Sequence, residues 1–279
     1  FKFVSEVEKA NGNIKKKYQE FLDKKQKAED EGTEFEEIEP RKKELIPIIG
    51  CEFYISDSPE KKKFTKDDPD RRTHIVLLAK NMKGYKNLTK LSSIGYVNGF
   101  YFGVPRISKE MISEYKEDLI ALTAGTLGDI PSTILEFGEQ KGEEVFKWWK
   151  ESFQDDFYVQ IQNHEVEEEE HLNDVLLEFA EKYETKILAQ NETFYTEKSD
   201  AHIQDILYCI KDGEKLSSPV GKGFGKRRGL PTHEFYIKNE DELKQTFRQF
   251  PDAFEAYSEF LAKFEPYTLK RDVLLPEFG

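Results

Sequence analysis

Glu52 lies within residues 46–55, I-P-I-I-G-C-E-F-Y-I, an apolar run punctuated by Pro47 and Gly50. Such a run reads as a buried strand, in character with a parallel sheet. A carboxylate there is costly to bury unless it is paired, hydrogen-bonded or bound to a metal. At the carboxyl end of a strand in a barrel or open α/β sheet, it either joins a site or reaches solvent. Histidine is the other residue type suited to metal or acid–base chemistry, and the chain has five. His164 follows the alternating run 157–162 directly. It is therefore either a site residue at a barrel mouth or a loop residue. His74 opens a strand and could face the mouth or the opposite end. Its place at the strand's amino end favours the opposite end and a hydrogen-bonded structural role. Arg106, after Pro105 in a turn, either binds an anion at the mouth or pairs with a carboxylate. His171 sits beside four consecutive glutamates and reads as exposed. His202 and His233 read as structural or exposed.

The elements that must position these residues alternate in type. Parallel strands are predicted near 46–55, 74–79, 119–123, 157–162 and 187–190. Between them lie helical segments at 81–96, 107–115 (capped by Ser108), 131–137, 143–153, 165–183 and 199–211. Alternating strands and helices predict a parallel sheet or an α/β barrel with its helices outside. Residues 1–11 read as an amphipathic helix. From 12 to 43 the composition shifts to Lys, Glu, Asp and Gln, with one thin apolar stripe at Tyr18, Phe21 and Leu22. That segment reads as a charged, partly helical surface insertion that buries little. A C-terminal helical segment is expected over 240–279. The whole of 1–279 is read as one domain.

Composition narrows the function. The chain has 279 residues, 35% of them charged, with a net charge of -13. An acidic surface repels phosphate backbones, which excludes nucleic-acid binding over the whole surface. The dense basic patch is Lys222, Lys226, Arg227 and Arg228, in G-K-G-F-G-K-R-R-G at 221–229. Local contact with DNA or with an acidic partner is open there. The string lacks a preceding strand and Walker spacing, which argues against a nucleotide cradle. Cys51 and Cys209 read as free thiols of a reducing, cytoplasmic compartment. No apolar run reaches membrane-spanning length. The chain opens on Phe1 and not Met, and is read as a piece of a longer polypeptide.

Several strings occur together: I-P-I-I-G-C-E-F-Y at 46–54, H-I-V-L-L-A-K-N-M-K-G-Y-K-N-L at 74–88 and G-F-Y-F-G-V-P-R-I at 99–107. They are joined by L-G-D-I-P at 127–131, L-Y-C-I-K-D-G at 207–213, F-P-D-A-F-E at 250–255 and L-L-P-E-F at 274–278. In this order they resemble the polymerase-and-histidinol-phosphatase (PHP) domain of the bacterial DNA polymerase III alpha subunit. The resemblance covers the chain from Leu45 on, together with 1–11; the charged block at 12–43 departs from it. It implies a distorted (β/α)7 barrel with a metal centre at the carboxyl ends of its strands. It also implies an incomplete barrel, because the family's first strands, with an H-x-H motif and a D-H end, would lie upstream of Phe1. The polymerase palm would lie downstream of Gly279.

The resemblance also implies where metal ligands should stand. Glu52 matches the family's glutamate in G-x-E-F-Y. Gly125 stands where the family often has cysteine. Glu192 and Phe194 stand where it has the aspartate and histidine of T-N-D-x-H-Y. Phe194 cannot bind a metal, so the expected centre is degenerate, with no catalytic residue and no metal or other cofactor in this chain. Family sites bind zinc or manganese, and the parent polymerase uses magnesium. The implied role is a scaffold for the polymerase body of the same polypeptide, possible docking of the proofreading exonuclease, and DNA contact through the parent protein. The alternative is a metal-dependent phosphoesterase or an intrinsic 3'-5' proofreading nuclease.

Overall fold

The computed structural model describes residues 2–221, 223 and 225–269. The chain divides into two compact units, Phe1–Ile49 with Glu265–Gly279, and Gly50–Phe264.

The first unit is dominated by α1 (Lys2–Glu31), one continuous helix of 30 residues. It does not stop near residue 11 as the composition shift suggested. Gly12 is accommodated within it, since an interior glycine costs only about 1 kcal/mol relative to alanine. The segment after it is anchored to the helix. Asn11 Nδ2 donates to the Leu45 carbonyl at 2.9 Å, and the Leu45 N–H donates to Asn11 Oδ1 at 2.7 Å. Phe21 packs edge-on against Phe35 at 5.2 Å.

The second unit holds the sheet: β1 (Gly50–Ile55), β2 (Thr73–Ala79), β3 (Arg106–Ile107), β4 (Leu119–Leu122), β5 (Phe157–Ile161) and β6 (Ile187–Ala189). Its helices are α2 (Met82–Val97), α3 (Lys109–Tyr115), α4 (Asp129–Phe137), α5 (Glu139–Phe153), α6 (Glu167–Lys182), α7 (Ala201–Asp212), α8 (Glu240–Thr246) and α9 (Tyr257–Ala262). The α3 cap is as expected, with Ser108 accepting from the Met111 N–H at 3.3 Å. The sheet order is β3-β1-β2-β4-β5-β6. It is an open sheet, in keeping with an incomplete barrel.

The expectation of parallel strands throughout fails at β2. β1 pairs with β3 in parallel, as do β4 with β5 and β5 with β6. β2 runs antiparallel to both of its neighbours, β1 and β4. The cause is the connection. Residues 56–72 form an irregular loop, and without a crossover helix a chain returns to its neighbouring strand in the opposite direction. The first strand also begins at Gly50, later than the apolar run, and Ile46 is exposed.

Alternation sorts the strand residues by face. Along β2, Thr73, Ile75, Leu77 and Ala79 are buried, while His74, Val76 and Leu78 on the other face are half-buried. Ile75, Leu77 and Ala79 join Leu88 and Leu91 of α2, Phe146 and Trp149 of α5, and Leu172 and Phe179 of α6 in one core. On the opposite face Tyr158 of β5 packs edge-on against Phe260 of α9 at 5.2 Å. Its hydroxyl donates to Glu259 at 3.0 Å.

Asp129 pins α4 to this core. It is buried, yet its carboxylate accepts from Thr73 Oγ1 at 2.7 Å and Trp149 Nε1 at 2.9 Å, and pairs with Lys109 Nζ at 2.7 Å. Replacing it leaves three donors, one of them charged, without an acceptor. We expect Asp129→Ala to cost about 3–5 kcal/mol, and Lys9→Ala, at an exposed pair with Glu6, to cost about 0–1 kcal/mol. Urea unfolding of both variants checks the contrast; equal midpoints would show that the Asp129 cluster anchors nothing.

Candidate functional site at the sheet's carboxyl end

Because β2 is reversed, its amino end lies beside the carboxyl ends of β1, β4, β5 and β6. His74 therefore faces the mouth, and the expectation that it sits at the far end is corrected. It is bridged to Gly128 of the loop after β4, and its N–H donates to the Leu127 carbonyl at 2.9 Å. In the β1–β2 register Glu52 faces Val76 and Tyr54 faces His74. Glu52 and His74 are thus diagonal neighbours on one face. Their side chains meet through Glu52 Oε1 and His74 Nδ1. The His74 hydrogen bond holds the Glu52 carboxyl below its ordinary range; partial burial opposes it, and the attraction of the imidazole adds to it. The Tyr54 ring packs edge-on against the imidazole at 4.4 Å.

His164, just past β5, is fully buried, and both ring nitrogens are engaged. Nδ1 lies 2.7 Å from Glu169 Oε1, and the His164 backbone N–H donates to Glu169 Oε2 at 2.6 Å. Nε2 lies 3.1 Å from the Glu192 N–H and 3.2 Å from the Glu192 carbonyl. With the proton on Nδ1, facing the carboxylate, Nε2 accepts from Glu192 N–H. The ring stacks on Phe235, with centroids 4.2 Å apart and planes 2° from parallel. Phe194 packs against the same Phe235 at 5.8 Å, and its N–H donates to the Phe235 carbonyl at 2.9 Å. Asn191 and Lys238 complete the clasp between the loop after β6 and residues 232–238, with Lys238 Nζ donating to Asn191 Oδ1 at 2.9 Å.

Glu192 contrasts with Glu52. Among the described residues, no hydrogen bond or ion pair reaches its carboxylate. Glu192 is solvent-exposed at the rim of the mouth; crowding by the surrounding loops still pushes its pKa above the ordinary 4.5, attraction from His164 opposes that shift, and repulsion from Glu52 and Glu169 adds to it. Glu52 and His74 on β1 and β2, and His164, Glu169 and Glu192 past the ends of β5 and β6, thus stand at the same end of the sheet.

The remaining predicted residues stand differently. A Cβ at Gly125 would lie 2.7 Å from Gln162 Oε1, so the Gln162 amide fills the space that a side chain there would need. Arg106 is fully buried. Its guanidinium pairs with Asp70 Oδ1 at 2.7 Å and donates to the carbonyls of Pro59, Lys61 and Gly99. It also lies over the Tyr101 ring at 5.0 Å. Of the two readings for Arg106 the carboxylate pair is the one found, and every side-chain nitrogen of the guanidinium is engaged. In the basic string, Arg227 is buried and paired with Asp205 of α7 at 2.7 Å. Arg228 lies over the Tyr208 ring at 4.5 Å. Lys226 is exposed, and Lys222 lies outside the described residues.

Two residues escaped the sequence reading. Glu169 belongs to a run of glutamates that reads as a solvated face, yet it is buried against His164. The available signal was its place in the first turn of α6, three residues after Val166, where a carboxylate can turn back onto preceding N–H groups. Gln162 gave no signal, because its role depends on the loop after β4.

Phe194 and Gly125 carry no donor atom, His164 has both nitrogens committed, and His74 Nδ1 is held by Glu52. Among the described residues, no group of three or more His, Cys, Asp or Glu could hold a metal ion.

The open α/β sheet with its surrounding helices is in keeping with a PHP domain. The profile of that family, the PHP domain, matches residues 11–164, over half of the chain, and the chain belongs to it. Among curated proteins the chain is similar to the DNA polymerase III subunit alpha of Borreliella burgdorferi, with 36% identity over 217 residues. The same subunit of Campylobacter jejuni is 34% identical over 231 residues, and that of Thermus aquaticus 35% over 220. These alignments take in 78%, 78% and 77% of this chain, and 18% of each relative. The chain is thus homologous to the PHP region of that subunit and spans about a fifth of its length. Among the described residues, no helix is long and apolar enough to cross a membrane.

The raised pKa of Glu192 has a signed consequence. Its folded-state pKa lies above the unfolded value, so its charged form destabilises the fold at neutral pH, and that penalty disappears as pH falls below about 4.5. Because Glu192 is solvent-exposed, water screens most of this penalty; we expect Glu192→Gln to raise Tm only slightly at pH 7 and the gain to vanish towards pH 4. A Tm lowered at pH 7, or a gain that does not depend on pH, would contradict this account of the mouth.

Proposed function

We propose that this chain is a structural, partner-docking PHP module of a replicative DNA polymerase, with a metal site that has become degenerate. One observation carries the reading: apart from the exposed Glu192 carboxylate, the polar groups at the mouth engage one another. Glu52 holds His74, Glu169 and the Glu192 backbone hold His164, and Phe194 packs where the family resemblance implies a ligand. A hydrolytic centre needs ligating groups free to converge on ions and water. Here they act as struts: His74 holds the loop after β4, and the loops after β5 and β6 are tied to residues 232–238. The partners in this reading are the polymerase body of the same polypeptide, the proofreading exonuclease, and DNA through the parent protein. The cell compartment is the cytoplasm, where replication takes place.

The test has two arms. The purified chain is titrated with zinc and with manganese while hydrolysis of a chromogenic phosphate ester is followed; no hydrolysis tracking the bound metal is expected. In parallel, His164→Ala is expected to lower stability by about 3–5 kcal/mol, because it strands a buried carboxylate. Metal-dependent hydrolysis lost in Glu52→Gln would overturn the scaffold reading in favour of a metal-dependent phosphoesterase or proofreading nuclease.

A further inference from the structure

The exterior of α7 is unusual for the outside of a folded domain. Tyr208 and Cys209 are buried, and Asp205 is held by Arg227. The other side of the helix carries Ile203, Ile206, Leu207 and Ile210, which are 46%, 40%, 53% and 72% exposed. Their spacing is i, i+3, i+4 and i+7, a continuous stripe along two turns. Such a stripe is the pattern by which a helix enters an apolar groove. Beside it, the loop that Arg227 ties to Asp205 exposes Leu216 and Val220. Isolated exposed aliphatic residues are ordinary, but a contiguous set of this size marks an interaction surface.

The occupant can be argued from size and charge. Four partly exposed aliphatic side chains present a few hundred Å² at most, whereas stable association of separate proteins takes about 800 Å² from each partner. A second copy of this chain is disfavoured further, because each copy carries a net charge of -13 and like charges oppose association. A small apolar contact suffices when its partner is tethered, since a short link supplies an effective concentration in the millimolar range. The relatives offer such a partner: this chain spans 18% of their length. We propose that the Ile203–Ile206–Leu207–Ile210 stripe is covered by an apolar groove in another part of the same polypeptide. This rests on the reading of the chain as one module of a polymerase.

The experiment compares thiol accessibility in two contexts. Ile210→Cys is made in the 279-residue chain and in the full-length polypeptide that contains it, and maleimide labelling of that residue is followed by mass spectrometry. Ile210 is the most exposed of the four, so its replacement does not threaten folding. Labelling at least tenfold slower in the longer polypeptide is expected, with the fast rate restored by adding Ile206→Glu. Equal rates in the two contexts would overturn the proposal. So would concentration-dependent dimerisation of the chain in sedimentation that Ile206→Glu abolishes, since a second copy would then be the occupant. If the full-length polypeptide proves to have no polymerase activity, the module reading fails, whatever the labelling rates.

Discussion

β2 runs against both of its neighbours, and the arrangement of the mouth follows from that reversal. Had the loop at 56–72 been a crossover helix, β2 would have joined its neighbours in parallel, and His74 would sit at the opposite end of the sheet. With β2 reversed, the His74 imidazole stands diagonally across from Glu52 and touches its carboxylate. The loop after β4 is tied to the same end through the bridge between His74 and Gly128. A single change of strand direction thus assembles side chains from β1 and β2 with the loops after β4, β5 and β6.

Once assembled, the mouth behaves as a set of mutual constraints. Burying charged or polar groups is tolerable only when each finds a partner. Glu169 takes both the backbone N–H and the imidazole of His164. Asp129 takes a hydroxyl, an indole and an ammonium group. Arg106 spends its donors on Asp70 and three carbonyls. Glu192 stands apart from these: it is solvent-exposed at the rim, where its carboxylate needs no protein partner, although crowding and two neighbouring carboxylates raise its pKa. Engaged imidazoles and an aromatic stack on Phe235 link the loops around the mouth.

Much of this protein is legible in its sequence. Strand and helix positions follow from local periodicity, because a residue's face is set by the pitch of its own element. The strands at 119–122, 157–161 and 187–189 and the Ser108 cap show it. The family could be named from short strings in order, and Glu52 and His164 could be singled out because a polar residue in or just after an apolar strand needs a partner. The tertiary structure alone decided strand direction, because the chain's course through 56–72 is not encoded in any periodicity. It decided that Arg106 serves Asp70, 36 positions away, and that Glu169 turns inward from a run that looks solvated. It also decided that the Gln162 amide occupies the space beside Gly125. Those outcomes depend on which groups long loops bring together, and a hydrogen bond between distant residues leaves no trace in the pattern of either one.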